Sequence, residues 1–350
     1  MKQHFESVAA FRQVLETIQG PDSSAMREAE ERNGQLTKPY RALGRLDEIA
    51  VWYSAWQRTP VPSVSFPWVT VFAGNHGVAR RGVSAYPSEV TAQMVENFRQ
   101  GGAAINQICQ AVGARFQVVA LDLDRPTADF TVEPAMSEAE FTAALTIGWD
   151  SFEPACDTLV VGEMGIGNTT AASAVAAGLF GGPPSRWVGS GTGVDAVGLD
   201  VKRQVVEDGL RMHRSVFGDP LEIARCLGGR EFAAMIGAIL RARVESVPVL
   251  LDGFICTAAA AVLERAKPGA LDHCLAGHLS AERAHGRILE AIGKKPLLSL
   301  DMRLGEATGG ALAIPIVRAA LQCQSGMSTF ADAAVSGRDD AGDDSGSGSR

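Results

Sequence analysis

Between residues 69 and 321 the chain repeats one pattern: a short apolar run, a glycine, then a stretch with apolar positions at helical spacing. The runs fall at 69–74, 116–121, 158–162, 247–251 and 297–300. Such alternation is the signature of a parallel sheet flanked by helices, whose strands are buried on both faces. The expected fold class is therefore α/β, a Rossmann-like, mostly parallel sheet flanked by helices, with glycines at the strand ends. Residues 1–60 are patterned differently. Phe11, Val14, Leu15 and Ile18 share a helical face, and a second helical segment is expected over 23–33. These residues predict a smaller helical domain built largely from the N-terminal region, followed by an α/β domain over 61–323. Residues 324–350 end rich in Gly, Ser and Asp, a composition that cannot offset its own ordering entropy, so a disordered tail is expected there.

Composition changes the picture mainly by exclusion. With 350 residues and 46% hydrophobic content, a sizeable core is expected, burying roughly three quarters of the unfolded surface. A net charge of −8 argues against a nucleic-acid partner, since phosphate backbones are bound through clustered Lys and Arg. The six cysteines are scattered, with no CxxC pair and no zinc-ligand spacing, so no metal site is expected and the thiols read as reduced. The first residues lack an apolar signal core, and no apolar run reaches the ~18 residues of a membrane helix. The expectation is a cytoplasmic protein with no membrane association.

Candidate chemistry concentrates where strands meet helices. Glu306 follows the run at 297–300, and Gly305 is expected to open a helix running toward Leu321. A carboxylate at such a turn sits where open α/β sheets bind ligands, although Glu in a first helical turn also complements the helix dipole without any chemistry. Upstream, Gly162-Glu163-Met164-Gly165-Ile166-Gly167-Asn168-Thr169-Thr170 joins a strand to an Ala-rich helix. Its glycines permit close approach of a ligand, Asn168 or Thr169 can cap the helix, and the helix N-terminus suits a phosphate or carboxylate. A plain tight turn is the competing reading. No Gly-Lys-Ser/Thr follows, and Thr170 stands where a dinucleotide fingerprint needs its third glycine.

A second loop, Gly189-Ser190-Gly191-Thr192-Gly193, precedes a helix that carries Lys202 and Arg203, giving backbone donors, hydroxyls and a cation for one anionic group. A third cluster, at Gly74-Asn75-His76-Gly77, leads to Ser84, Tyr86 and Gln93 near the same sheet edge. For His76 a hydrogen-bonded loop histidine is favoured over a general base.

These segments, with Gly229-Arg230-Glu231-Phe232, Leu251-Asp252-Gly253-Phe254, Gly277-His278-Leu279-Ser280 and Arg303-Leu304-Gly305-Glu306, closely resemble the nicotinate-nucleotide:dimethylbenzimidazole phosphoribosyltransferase family in order and spacing over about residues 36–320. The resemblance implies a pentosyltransferase that moves ribose 5-phosphate from nicotinate mononucleotide to 5,6-dimethylbenzimidazole, giving α-ribazole 5′-phosphate and nicotinate for the cobalamin lower ligand. It implies Glu306 as catalytic base in the 61–323 domain. It also implies a nucleotide site of Glu163, Gly165, Gly167, Asn168, Ser190, Gly191, Thr192, Lys202, Arg303 and Gly305, and a base pocket bordered by Ser84, Tyr86, Gln93 and Leu304. No cofactor or metal is called for, and a homodimer is expected from the resemblance. An acceptor other than dimethylbenzimidazole, or a silent nucleotide-binding regulator on the same fold, are the alternatives. One departure stands out. Where the family commonly reads Lys-Pro-Pro-Gly-Ser-Leu, this chain has Lys38-Pro39-Tyr40-Arg41-Ala42-Leu43, which removes a glycine turn.

The implied chemistry suits a lone carboxylate. The glycosidic nitrogen of nicotinate mononucleotide is already cationic, so nicotinate leaves without protonation. The attacking benzimidazole instead sheds an N–H proton, which a carboxylate within hydrogen-bond reach takes. A Glu306 of ordinary pKa, ~4.3, would be ionised at neutral pH.

Overall fold

The computed structural model describes residues 4–189, 191 and 193–336. Six strands, β1 (Pro67–Ala73), β2 (Arg115–Ala120), β3 (Thr158–Met164), β4 (Val249–Leu251), β5 (Cys274–Leu279) and β6 (Pro296–Ser299), form one sheet in the order β2-β1-β3-β4-β5-β6. Every neighbouring pair is parallel. The inner strands are buried on both faces because their apolar residues alternate between two cores, while the edge strands β2 and β6 are only partly buried. Phe72, Leu159, Val161, Val249 and Leu251 point to one core, and Val69, Val71, Val160 and Leu250 to the other.

The five expected strands all form, with ends shifted by at most two residues. β5 is an addition to that expectation, since Gly277 and His278 interrupt its apolar run. Gly277 is needed where it stands, because a Cβ there would lie 2.7 Å from the Gly310 Cα of a packed helix. Gly162 is likewise not at a strand end as expected. It sits inside β3, and the strand continues through Glu163 to Met164.

Three helices, Val8–Glu16, Ser23–Gln35 and Arg45–Gln57, occupy the N-terminal region. They share their cores with the sheet: Val8, Phe11 and Leu15 join one cluster, and Ile49, Ala50 and Tyr53 the other. At the departure from the family pattern the chain makes a turn over 40–44, with Arg41 itself in the left-handed region at φ +56°.

Residues 324–336, expected as the start of a disordered tail, are instead tied down. The last helix runs to Gly326, Arg32 donates to the carbonyls of Gln324, Ser325 and Met327, and Thr329 bridges to Leu36. The Gly/Ser/Asp-rich stretch 337–350 lies outside the described residues.

Candidate active site

The chain runs from β1 to β2 on one side and returns to β3 on the other, so the sheet order reverses between β1 and β3. In open α/β sheets the crevice outside the carboxyl ends at such a point is where ligands bind. A cavity of about 480 Å³ lies along the carboxyl ends of β3 to β6. Glu163, Gly165, Ile166, Asn168 and Thr169 wall it from β3, Gly253 and Phe254 from β4, Ser280 and Glu282 from β5, and Arg303 to Glu306 from β6, whereas Gly167 and Lys202, both expected in the nucleotide site, are not among its lining residues.

Glu306 does not lie in a first helical turn. The expected helix starts later, at Thr308, and is split into Thr308–Leu312 and Ile314–Gly326. Gly305, Glu306 and Ala307 all have left-handed φ, at +81°, +59° and +65°. For the two non-glycine residues that conformation costs ~1–2 kcal/mol each, so surrounding contacts must hold it. Asp252, directly after β4, accepts from the Ala307 N–H (3.1 Å) and the Gly310 N–H (2.9 Å). Thr308 Oγ1 donates to the Gly305 carbonyl at 2.7 Å. Gly162 leaves room for the turn, because a Cβ on it would come within 2.2 Å of the Ala307 nitrogen.

The result is a buried carboxylate in the cavity wall, 6% exposed. Burial, with the negative charge of Asp252, pushes the Glu306 carboxyl up to about 7. The expectation of full ionisation at neutral pH is thereby corrected: Glu306 is divided between its two forms there. That is the range in which a carboxylate is most effective as a proton acceptor at neutral pH.

Glu163 is buried beside it. Burial raises its carboxyl to about 8, with Asp252, Glu231 and Glu306 adding to the rise, so at neutral pH it is mostly protonated. Asn168 Nδ2 donates to Glu163 Oε2. Asn168 therefore does not cap the helix Asn168–Phe180 as expected. Gly167, at φ +96°, is the capping residue. Gly165 is a close-approach position, as a Cβ there would lie 2.5 Å from the Gly74 carbonyl oxygen.

Lys202 on the helix Ala196–Met212 is 1% exposed. Its Nζ donates to Thr169 Oγ1 and to the Gly189 carbonyl, each at 3.0 Å, which ties the two glycine loops together. Burial lowers its ammonium to about 8, partly offset by Glu282. Arg303 Nη1 reaches the Gly191 carbonyl at 3.2 Å. Gly191 lines the cavity; Ser190 and Thr192 lie outside the described residues.

Of the expected base-pocket residues, Tyr86 and Leu304 line the cavity, both more than half exposed. Ser84 and Gln93 are not among its lining residues. Gln93 is exposed on the helix Glu89–Arg99, and Ser84 Oγ accepts from the Tyr86 N–H at 3.2 Å. His76 is buried away from the cavity, with Nε2 2.6 Å from Glu231 Oε1. Asp252, Phe254 and Ser280 received no role from the sequence. An Asp-Gly directly after an apolar run marks the carboxyl end of a strand and was the available signal for Asp252. Among the described residues no group of three or more His, Cys, Asp or Glu side chains is placed to hold a metal ion, and no helix is long and apolar enough to cross a membrane.

A parallel sheet with a carboxylate poised near neutrality, two glycine loops and a buried lysine at its carboxyl edge has the make-up of an α/β enzyme site suited to an anionic ligand. The phosphoribosyltransferase family matches residues 18–335. The nicotinate-nucleotide–dimethylbenzimidazole phosphoribosyltransferase of Cereibacter sphaeroides is 58% identical over 337 residues, covering 96% of this chain and 100% of that protein. The enzyme of the same name from Ruegeria pomeroyi is 59% identical over 329 residues, covering 94% and 97%. The crystal structure of the Thermus thermophilus enzyme superimposes with a TM-score of 0.84 at 41% identity, covering 91% of this chain and 100% of that one. The chain belongs to the nicotinate-nucleotide–dimethylbenzimidazole phosphoribosyltransferase family.

Proposed function

We propose that this protein transfers ribose 5-phosphate from nicotinate mononucleotide to 5,6-dimethylbenzimidazole, with Glu306 as the general base. The observation that carries the reading is the Glu306 carboxylate, buried in the cavity wall beside two glycine loops and raised to about 7. A benzimidazole ring nitrogen attacks C1′ of the ribose as the bond from C1′ to the pyridinium nitrogen breaks. That bond's electron pair leaves with nicotinate. The N–H of the new benzimidazolium passes its proton to Glu306, which later releases it to solvent. Attack opposite the departing ring turns a β nucleotide into an α product in a single displacement with inversion.

The phosphate belongs to the loops that Lys202 joins, where backbone N–H groups and a helix N-terminus suit an anion. Protonated Glu163 lies near the ribose and adds no second negative charge to the base. Holding the two rings on opposite sides of one ribose supplies the remaining effect, since well-oriented reactants gain up to ~7–11 kcal/mol over free encounter.

The test is incubation with nicotinate mononucleotide and dimethylbenzimidazole, followed by mass and anomer determination of the product. α-Ribazole 5′-phosphate with stoichiometric nicotinate is the expected result. Nucleotide binding without nicotinate release, for any aromatic base offered, would make the protein a silent binder instead. Family membership also supports a homodimer, which light scattering on the purified protein tests.

A further inference from the structure

We infer that Asp252 is the positioning residue for Glu306: its two carboxylate oxygens grip the backbone on the far side of the left-handed turn and so aim the Glu306 side chain into the cavity. The inference rests on the assignment of Glu306 as base. Asp252 is 1% exposed and follows the central strand β4 without an intervening loop, so its position is set by the sheet. One oxygen takes the N–H of Ala307 and the other that of Gly310, which pins the residue next to Glu306 and the helix behind it to one anchor. A carboxylate is an acceptor through both oxygens, whereas an amide offers only one.

The backbone it holds would not adopt this shape unaided, since Glu306 and Ala307 both lie in the left-handed region. Gly162 of β3 closes on the same turn, since a Cβ on it would lie 2.2 Å from the Ala307 nitrogen. Two strands therefore clamp the segment that the reaction needs to be rigid, and the side chain in the clamp is a charge.

That charge gives Asp252 a second effect that a mere structural cap would lack. It is the one charged group acting to raise the Glu306 carboxyl, beyond burial. Around the pair stand Glu163 on β3, His278 on β5 with Nε2 3.5 Å from Asp252 Oδ1, Cys256 on the helix after β4, and Arg303 three residues before Glu306. Glu163, itself raised to about 8, is mostly neutral in the range where Glu306 titrates, which leaves Asp252 as the neighbouring charge that raises it.

The experiment is the pH dependence of kcat and kcat/KM for wild type, D252N and E306Q. D252N is expected to lower plateau kcat by about 10²-fold through misplacement of the base. It is also expected to move the acid limb from about 7 downward by roughly one pH unit as the neighbouring charge disappears. Should D252N fail to fold, D252N/A307G replaces it, because glycine accepts the left-handed φ without strain. The limb should then be displaced in the same direction. Only loss of kcat together with the displaced limb supports the inference. A limb that stays at about 7, with or without loss of kcat, overturns it, as does an unchanged kcat. E306Q separates the two levels of the reasoning. Normal turnover in E306Q removes the base and the clamp together, whereas an inactive E306Q beside a D252N with wild-type kinetics removes Asp252 alone.

Discussion

Replacing Glu306 by Gln removes one proton acceptor and one buried charge while keeping the shape of the side chain, so it is expected to move activity and stability in opposite directions. Loss of a positioned base lowers turnover by ~10²–10⁴-fold. Stability follows from the carboxyl's shift from 4.5 to about 7, caused by burial and by Asp252. At ~1.4 kcal/mol for each tenfold change in the ionisation constant, the ionised form costs the fold roughly 3 kcal/mol. Because the folded value is the higher one, this cost is absent below the ordinary carboxyl range, grows as pH rises from there, and is complete once pH has passed about 7. E306Q should therefore melt at a higher temperature than wild type at about pH 8.5, with the gap closing toward about pH 4. The amide keeps its own desolvation cost, so the gain will be a part of that 3 kcal/mol, about 1–2. Activity is read as nicotinate release by chromatography with both substrates saturating, and stability by thermal melts across pH. In wild type, kcat/KM should fall below pH 7, to roughly a tenth at pH 6, as the base becomes protonated. Near-normal turnover in a folded E306Q would refute the base. A lower melting temperature for E306Q at high pH would refute the electrostatic reasoning.

Gly162→Ala puts a methyl 2.2 Å from the Ala307 nitrogen and should displace the Glu306 turn, costing about 10²-fold in kcat with little change in nucleotide affinity; wild-type kinetics would show that the turn tolerates the shift. Lys202→Met keeps the length of the side chain but loses the link between Thr169 and Gly189. It should raise KM for nicotinate mononucleotide by ~10-fold or more, with the smaller effect on kcat; an unchanged KM would take the phosphate away from these loops. Deleting residues 337–350 should leave kcat and melting temperature as they are. Deleting from residue 324 onward should lower the melting temperature, since Arg32 then loses its three carbonyl partners. Equal melting temperatures for the two truncations would contradict the packing of that segment.

The parallel sheet was legible because its inner strands are buried on both faces and so appear as short apolar runs, most of them with a glycine at or soon after the end. β5 escaped because Gly277 is selected by a contact with Gly310, 33 residues later, which no local pattern records. The same cause explains Gly162, read as a strand end but required inside β3 by the approach of Ala307. Glu306 was legible as a carboxylate at the carboxyl edge of a strand, and family resemblance named its role. Its left-handed backbone was not, since a Glu followed by an Ala carries no sign of positive φ; Asp252 and Gly162 impose it from other strands.

The order of five of the six strands, the glycine loops, the lysine and glutamate positions and the family itself follow from the sequence alone, because each is carried by neighbouring residues or by a motif. Tertiary structure decided what those residues become chemically. Glu163, Asp252 and Glu306 come from three different strand ends and meet only because the sheet places β3, β4, β5 and β6 side by side. Ionisation depends on burial and on charges across space, so a glutamate with an ordinary pKa in the sequence becomes, in the fold, one that titrates at about 7.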